Sequence, residues 1–212
     1  MSKGPVKVLV LVSGGGTNLQ ALIDAEQAGK LGPGTIAAVL SDRPGVYALE
    51  RARLAGIPAL TELPDTGLPK PTSAIEWRQE LSDRILRICR ERDIGLIVYA
   101  GFLSILAGDL IDAYAGRMIN LHPALLPKFG GAGMYGDRVH RAVLDAGETE
   151  SGCTVHLVDS GTDTGPILLQ RRVAVLPGDT PETLAERIHH EEHIAIVEAT
   201  AMMINRLCTG SM

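Results

Sequence analysis

The N-terminal part of the chain contains a strand, a glycine-rich turn and a helix in immediate succession. Residues 6–12 are almost all valine or leucine, which is typical of a strand with both faces covered in a parallel sheet. Residues 13–18 form the turn, and apolar residues in the following segment, 19–25, recur at helical spacing. This order is the first half of a β-α-β unit. It predicts an α/β protein with a doubly wound, mostly parallel sheet.

The rest of the chain continues this alternation and then changes. Further strands are predicted at 35–41, 57–61, 94–100 and 117–121, helices at 47–55, 74–92, 108–114 and 139–146, and a surface loop at 64–72. Segments 151–158 and 167–175 alternate like strands across a turn-rich connection, which predicts an antiparallel C-terminal extension of the sheet. A last helix is predicted from Pro181 to about residue 206, with Thr180 as its cap. A chain of 212 residues fits one domain, 1–212.

Composition excludes several classes of protein. The formal charge is -5 without a long basic run, which argues against a nucleic-acid binder. The three cysteines are far apart and indicate neither a zinc site nor a disulfide framework, so a reducing compartment fits best. The apolar run 6–12 is too short to span a membrane and lacks a signal-peptide cleavage pattern. We therefore expect a cytoplasmic protein without a membrane partner; the sequence leaves a monomer and a homodimer open.

An amide and an imidazole stand two residues apart where the predicted strand 117–121 ends. Side chains two apart on a strand share a face, so Asn120 and His122 project together, and Pro123 stops the strand. In open α/β sheets, ligands bind at this edge. An amide donor beside a titratable imidazole suits an anionic tetrahedral intermediate and the transfer of its proton. The alternative is a polar pair that only caps a turn.

The glycine turn 13–18 is the second candidate site. Glycines let the backbone approach a ligand, and the free N–H groups of the following helix attract anions. The spacing is neither that of a Walker A loop nor GxGxxG, and no lysine follows the glycines. A simple phosphate monoester is therefore the expected ligand. The alternative is a tight turn that binds nothing.

Two further groups of polar residues allow more than one interpretation. A carboxylate between residues 159 and 165 could pair with His122 and favour its imidazolium form, but spacing does not choose Asp163 over Asp159, and both could be ordinary turn residues. His156 is either a residue that supports the site or a satisfied strand histidine. The sequence HHEEH at 189–193 is not the zinc motif HExxH, so we expect no metal. A solvated helix face, or acceptors for a substrate amine or ribose, are the alternatives.

Five segments of the chain form a recognisable set: SGGGTNLQ at 13–20, SDRPG at 41–45, AGFLSIL at 100–106, NLHPALLPKFGG at 120–131 and GCTVHLVDSGTDTGPILLQ at 152–170. Together they resemble the phosphoribosylglycinamide formyltransferase family of folate-dependent enzymes. The resemblance extends from about residue 6 to residue 206. It implies a single formyltransferase domain with a mononucleotide-binding half, 6–100, and a folate-binding catalytic half, 101–206.

The resemblance also implies a role for individual residues. The catalytic trio would be Asn120, His122 and Asp163. The substrate, including its phosphate, would be bound by Gly16, Thr17, Asn18, His189 and Glu192. The folate would contact Arg78, Leu103, Ser104, Ile105, Leu106, Asn120, Asp159, Ser160, Gly161 and Thr162. Lys128 and His140 match lesser positions of the site. Two departures stand out: Ser104 occupies a position where many members have arginine, and the loop 130–136 is longer and richer in glycine.

The implied reaction transfers the formyl group of 10-formyltetrahydrofolate, a co-substrate, to the amine of 5'-phosphoribosylglycinamide in purine biosynthesis, without a metal. Three other functions are alternatives to this reaction. A 10-formyltetrahydrofolate hydrolase would carry an additional N-terminal domain, for which a first strand at residue 6 leaves no room. A methionyl-tRNA formyltransferase would carry a C-terminal RNA-binding domain. A non-catalytic nucleotide-binding module would have no need of the Asn-His-Asp set.

Overall fold

The computed structural model describes residues 4–61 and 73–210. The surface loop expected at 64–72 lies outside the described residues. The described strands are β1 (Val6–Val12), β2 (Gly34–Ser41), β3 (Ala59–Thr61), β4 (Leu96–Tyr99), β5 (Met118–His122), β6 (Glu150–Leu157) and β7 (Ile167–Ala174). The described helices are α1 (Thr17–Gln27), α2 (Tyr47–Leu54), α3 (Ala74–Glu91), α4 (Asp109–Ala113), α5 (Asp137–Asp145) and α6 (Pro181–Thr209).

The strands form one sheet in the order β3-β2-β1-β4-β5-β6-β7. Strands β1 to β5 pair in parallel, whereas β6 is antiparallel to β5 and β7 is antiparallel to β6. This confirms the predicted α/β fold with its antiparallel extension. The direction in which strands are added reverses between β1 and β4, and such a switch point opens a crevice at the carboxyl ends of the strands.

Alternate residues of the central strands pack on opposite faces of the sheet. Val8 and Val10 of β1 belong to a core that includes residues of α1, α2 and α6. Leu9 and Leu11 belong to a second core, formed with α3 and α4. Because both faces are covered by helices, β1 is completely apolar along its buried length, as a parallel strand requires.

Two predicted strands begin two residues later than expected. The Ile57 N–H donates to the Ala52 carbonyl (2.9 Å), and the Ile94 N–H donates to the Cys89 carbonyl (2.9 Å). Both residues therefore complete the C-terminal caps of helices, of α2 and α3 respectively, instead of pairing in the sheet. Among the described residues, no helix has the length and apolar character needed to cross a membrane.

The last helix begins where the sequence predicts. The Thr180 hydroxyl accepts from the Thr183 N–H (3.3 Å), and the Thr183 hydroxyl accepts from the Thr180 N–H (2.9 Å), so the two residues cap the helix reciprocally. Pro181 follows at the first helical position, where its missing N–H costs nothing. The helix continues to Thr209, three residues beyond the prediction. It contacts β1, β4 and β5. His189 and Glu192 of this helix lie near the carboxyl ends of the strands.

Candidate active site

A cavity of about 440 Å³ opens at the carboxyl ends of β1, β4 and β5. It brings together most of the predicted site residues: Gly16, Thr17, Asn18, Leu103, Ser104, Ile105, Leu106, Asn120, His122, Asp159, Gly161, Thr162, Asp163, His189 and Glu192. Arg78 and Ser160 are predicted site residues that do not line it. Arg78 lies on an exposed part of α3. The cavity is thus bounded by the glycine turn, by residues 99–106, by the end of β5 and by α6.

Asn120, His122 and Asp163 meet in the middle of this cavity. Asp163 Oδ2 lies 3.4 Å from His122 Nδ1, and Asp163 Oδ1 accepts from Asn120 Nδ2 at 3.3 Å. The backbone N–H of Gly131 donates to Asp163 Oδ2 (3.0 Å). The structure thus places Asp163 beside the histidine. Asp159 instead accepts from the Gly161 N–H and the Thr164 hydroxyl, which is the turn role that the sequence left open for it.

The second nitrogen of His122 also faces an acceptor. Nε2 lies 2.8 Å from the carbonyl oxygen of Phe129, and the histidine is only 3% exposed. A ring that carries protons on both nitrogens can donate to Phe129 and to Asp163 at once. Phe129 adopts a left-handed backbone conformation (φ 59), which few residues without a short polar side chain do. The arrangement therefore holds the His122 imidazole in one orientation.

Asp163 is suited to remain ionised. Burial opposes its charge, but the neighbouring His156 and His122 imidazoles and the Gly131 N–H together lower the pKa of the Asp163 carboxyl below its usual value. Its backbone is left-handed (φ 58), a conformation that aspartate tolerates better than most residues. Strained residues of this kind cluster at functional sites.

His156 supports the trio from behind. Its Nε2 lies 3.1 Å from Asn120 Nδ2 and 3.5 Å from Asp163 Oδ1, while its Nδ1 lies 2.8 Å from the Leu157 carbonyl. A proton on Nδ1 satisfies that carbonyl and leaves Nε2 as an acceptor for the Asn120 amide. The sequence left the role of His156 open, since alternation alone gives its face and not its partners.

The glycine turn presents a row of unused donors. The backbone N–H groups of residues 14–19 donate to no acceptor among the described residues, whereas the Ser13 N–H donates to the Gly101 carbonyl. The first residues of α1 lack intrahelical acceptors in any case, and the turn precedes them without a side-chain cap. Residues 14–18 line the cavity, so their N–H groups are available to an anion there.

Opposite the turn, α6 contributes a buried carboxylate. Glu192 is 4% exposed, and its Oε2 accepts from Asn18 Nδ2 (3.3 Å) and lies 2.7 Å from His189 Nδ1. The hydrogen bond with Glu192 raises the pKa of His189. The neighbouring Glu191 faces away and pairs with Arg171. Within residues 4–61 and 73–210, no three His, Cys, Asp or Glu side chains are grouped to hold a metal ion.

His140 of α5 is a further buried histidine of this cavity. It lines the cavity, is 2% exposed, and its Nδ1 has no hydrogen-bond partner among the described residues. Burial lowers the pKa of His140, although Glu192 and Asp137 oppose this effect. Lys128, the other lesser position, extends outside the cavity to Glu148 (2.7 Å).

Ser104 is hydrogen-bonded to the carboxylate of Asp42. Its hydroxyl donates to Asp42 Oδ2 (2.7 Å), and the Ser13 hydroxyl donates to the other oxygen of the same carboxylate (2.7 Å). The Ser13 oxygen in turn accepts from the Leu103 N–H (2.9 Å). The segment 102–106 is therefore tied to Asp42, which follows β2. The peptide bond between Leu126 and Pro127 is cis.

Comparison with known proteins identifies the family. The formyl transferase family profile matches residues 6–200. Phosphoribosylglycinamide formyltransferase of Escherichia coli (strain K12) is 37% identical over 188 residues, which are 89% of this chain and 82% of that protein. The trifunctional purine biosynthetic protein adenosine-3 of Drosophila pseudoobscura pseudoobscura is 43% identical over 204 residues, or 96% of this chain. The chain spans only 14% of the length of that relative.

Solved structures agree with the sequence relatives. The crystal structure of glycinamide ribonucleotide transformylase 1 from Symbiobacterium toebii superposes with a TM-score of 0.83 at 39% identity, covering 95% of this chain and 88% of that one. Its similarity confirms the seven-stranded, mostly parallel sheet with helices on both faces. The chain therefore belongs to the formyl transferase family, in its phosphoribosylglycinamide formyltransferase branch.

Proposed function

We propose that this chain transfers the formyl group of 10-formyltetrahydrofolate to the amine of 5'-phosphoribosylglycinamide, a step of purine biosynthesis. One observation carries the proposal: Asn120, His122 and Asp163 lie in a single cavity that is also lined by the glycine turn and by Leu103, Ile105 and Leu106. Membership of the branch that includes the Escherichia coli enzyme supports the same choice of substrates.

The acceptor substrate fits the end of the cavity formed by the glycine turn and α6. Its phosphate would lie on the free N–H groups of residues 14–18, which include Gly16, Thr17 and Asn18. Its ribose and amine would then reach Glu192, whose buried carboxylate is held by Asn18 and His189. A buried carboxylate needs hydrogen-bond donors, and the ribose hydroxyls and the amine of the substrate can supply further ones.

The donor fits the other end of the cavity. Leu103 and Ile105 expose 45% and 37% of their surface there, although they are large apolar residues. Leu106 lies behind them, and Asp159, Gly161 and Thr162 form the opposite side. An apolar slot with a polar rim suits a flat bicyclic ring with hydrogen-bonding edges. We assign Arg78 and Ser160, which do not line the cavity, no contact in this arrangement.

Each member of the trio has a distinct part in the proposed mechanism. As the amine nitrogen bonds to the formyl carbon, negative charge develops on the formyl oxygen. The two hydrogens of Asn120 Nδ2 face His156 Nε2 and Asp163 Oδ1 in this structure. The one that faces Asp163, at 3.3 Å, turns to the formyl oxygen as its charge develops. His122 supplies positive charge nearby and gives a proton to the departing N10 nitrogen. Asp163 receives the proton that the amine loses and returns it to His122, so the pair recovers its starting charge.

We place both substrate sites in one catalytic domain, with residues 6–100 providing the phosphate site and residues 101–206 providing the folate wall, the trio and Glu192. The three cysteines are free thiols. They fit a reducing compartment, and we propose a cytoplasmic location on that ground.

A spectrophotometric assay tests the proposed reaction. Deformylation of a 10-formyl folate by the purified protein is followed with and without phosphoribosylglycinamide. We expect deformylation only when the ribonucleotide is present. Equal rates with and without it would instead identify a hydrolase that uses water as acceptor. Absence of turnover together with retained phosphate binding would identify a nucleotide-binding module.

A further inference from the structure

We propose that Arg51, a residue of α2 outside the cavity, is a positioning residue that orients the glycine turn for the substrate phosphate. The inference rests on the proposed function, because it assumes a phosphate at this turn. It concerns a side chain that does not line the cavity. Arg51 would act through the peptide groups of the turn and not by touching the ligand.

The three glycine carbonyls of the turn are all held by hydrogen bonds. The Gly14 carbonyl accepts from the Ala48 N–H (3.2 Å), and the Gly16 carbonyl accepts from the Gln20 N–H (2.9 Å). The middle carbonyl, of Gly15, accepts from Arg51 Nε at 2.9 Å. Arg51 is the single side chain in this set, since both other donors are backbone N–H groups.

The direction of each carbonyl fixes the direction of the next N–H group. In a planar trans peptide, the C=O and the following N–H point to opposite sides. The Gly15 carbonyl points to α2, so the Gly16 N–H points away from α2. The Gly14 carbonyl also points to α2, so the Gly15 N–H points away from α2. The Gly16 carbonyl points to Gln20 along α1, so the Thr17 N–H points out of the N-terminus of that helix. The N–H groups are thereby turned towards an anion before it arrives, which lowers the ordering cost of binding.

Arg51 is itself held in place. Its Nη1 donates to Gln20 Oε1 (3.0 Å), and its guanidinium carbon lies 4.8 Å from the centre of the Tyr47 ring. The turn also presses closely on α2: a Cβ added to Gly16 would lie 2.6 Å from the Ala48 Cβ. A fixed cation beside the turn adds favourable potential for a phosphate dianion.

Arg51→Met removes the charge and the hydrogen bonds but keeps the length of the side chain. Arg53→Met is the matched control, since Arg53 lies on the same helix and its guanidinium, within residues 4–61 and 73–210, makes only an exposed pair with Glu50 (3.4 Å). Binding of inorganic phosphate is measured first by calorimetric titration of the wild type and both variants. Kinetics follow with phosphoribosylglycinamide and with its dephosphorylated nucleoside as acceptors.

We expect Arg51→Met to weaken phosphate binding and to raise KM for the ribonucleotide about tenfold, the scale of a lost hydrogen bond in a charged site. KM for the nucleoside, KM for the folate and kcat should stay within about twofold, as in Arg53→Met. Arg51→Lys, which keeps the charge, should show a smaller loss of the same kind. An equal rise in KM for both acceptors would overturn the proposal. Phosphate binding that is absent in the wild type, or unchanged in Arg51→Met, would overturn it as well. The phosphate titration decides this even if the wild type shows no formyl transfer.

Discussion

The Oδ2 atom of Asp163 lies 3.4 Å from Nδ1 of His122. Neither residue can move easily, because the carboxylate is also held by the Gly131 N–H and the imidazole by the Phe129 carbonyl. Both Asp163 and Phe129 occupy left-handed backbone conformations. The fold thus maintains two strained residues at the point where a carboxylate and an imidazole meet, which is expected of a preorganised site.

Replacing Asp163 by asparagine should remove most of the activity. Both carboxylate oxygens face N–H donors, from Asn120 and from Gly131, so an amide NH2 group would meet a donor in either orientation. We expect kcat to fall at least about 100-fold, the scale of a lost charge-stabilising contact. Asp159→Asn, in the same loop, should retain most of kcat. Near-normal kcat for Asp163→Asn with an unchanged circular dichroism spectrum would contradict the assignment.

His156→Leu tests the support of Asn120. The substitution removes the acceptor that lies 3.1 Å from the Asn120 amide nitrogen. Leucine fills a similar volume with an apolar side chain. We expect kcat to fall about 10- to 100-fold through loss of orientation, with smaller changes in both KM values. His190→Leu, an exposed change on α6, is the control. Equal kcat values for the two variants in steady-state assays would show that His156 is only a packing residue.

Gly16→Ala should destabilise the protein where Gly15→Ala does not. Gly16 has φ +74, and its added Cβ would contact Ala48, whereas a Cβ at Gly15 would meet nothing within 4 Å. We expect a loss of about 1–3 kcal/mol in the free energy of unfolding for Gly16→Ala. The change for Gly15→Ala should be within about 0.5 kcal/mol. Urea unfolding of both variants measures the difference, and similar values would mean that the turn is not pressed against α2.

The buried His140 should make stability depend on pH. Burial lowers the pKa of its imidazole, so below its ordinary pKa of about 6.5 the unfolded chain binds a proton that the folded chain resists. Stability is therefore lost as pH falls from about 7 towards 5. His140→Gln removes this contribution. The raised pKa of His189, which stabilises the folded protein as pH falls, is present in both proteins. Urea unfolding should show a smaller loss between pH 7.5 and 5.5 for the variant; parallel losses would contradict the account.

The sequence predicted the fold well because local patterns and topology coincide. The apolar strand β1, the Thr180–Pro181 helix start and the alternation of β6 and β7 each have a direct physical signature. The misplaced strand starts lie at Ile57 and Ile94, where an apolar residue that caps a helix looks the same as the first residue of a strand.

The candidate site was predictable to the extent that its residues share a strand end or a motif. Asn120 and His122 are two apart, so their common face follows from geometry. The carbonyl of Phe129, the amide held by His156 and the bond from Arg51 to Gly15 depend on tertiary contacts between distant segments. Backbone groups carry no residue-type signal, and so no sequence pattern points to them.

The fate of the formyl carbon tests the central claim most directly. The protein is given phosphoribosylglycinamide and a folate labelled with carbon-13 in the formyl group, and the label is followed by NMR. If the trio serves direct transfer to the amine, the label should appear in the formamide of the ribonucleotide at the rate at which the folate is consumed. Accumulation of labelled formate, or consumption of folate without labelled formamide, would contradict the account.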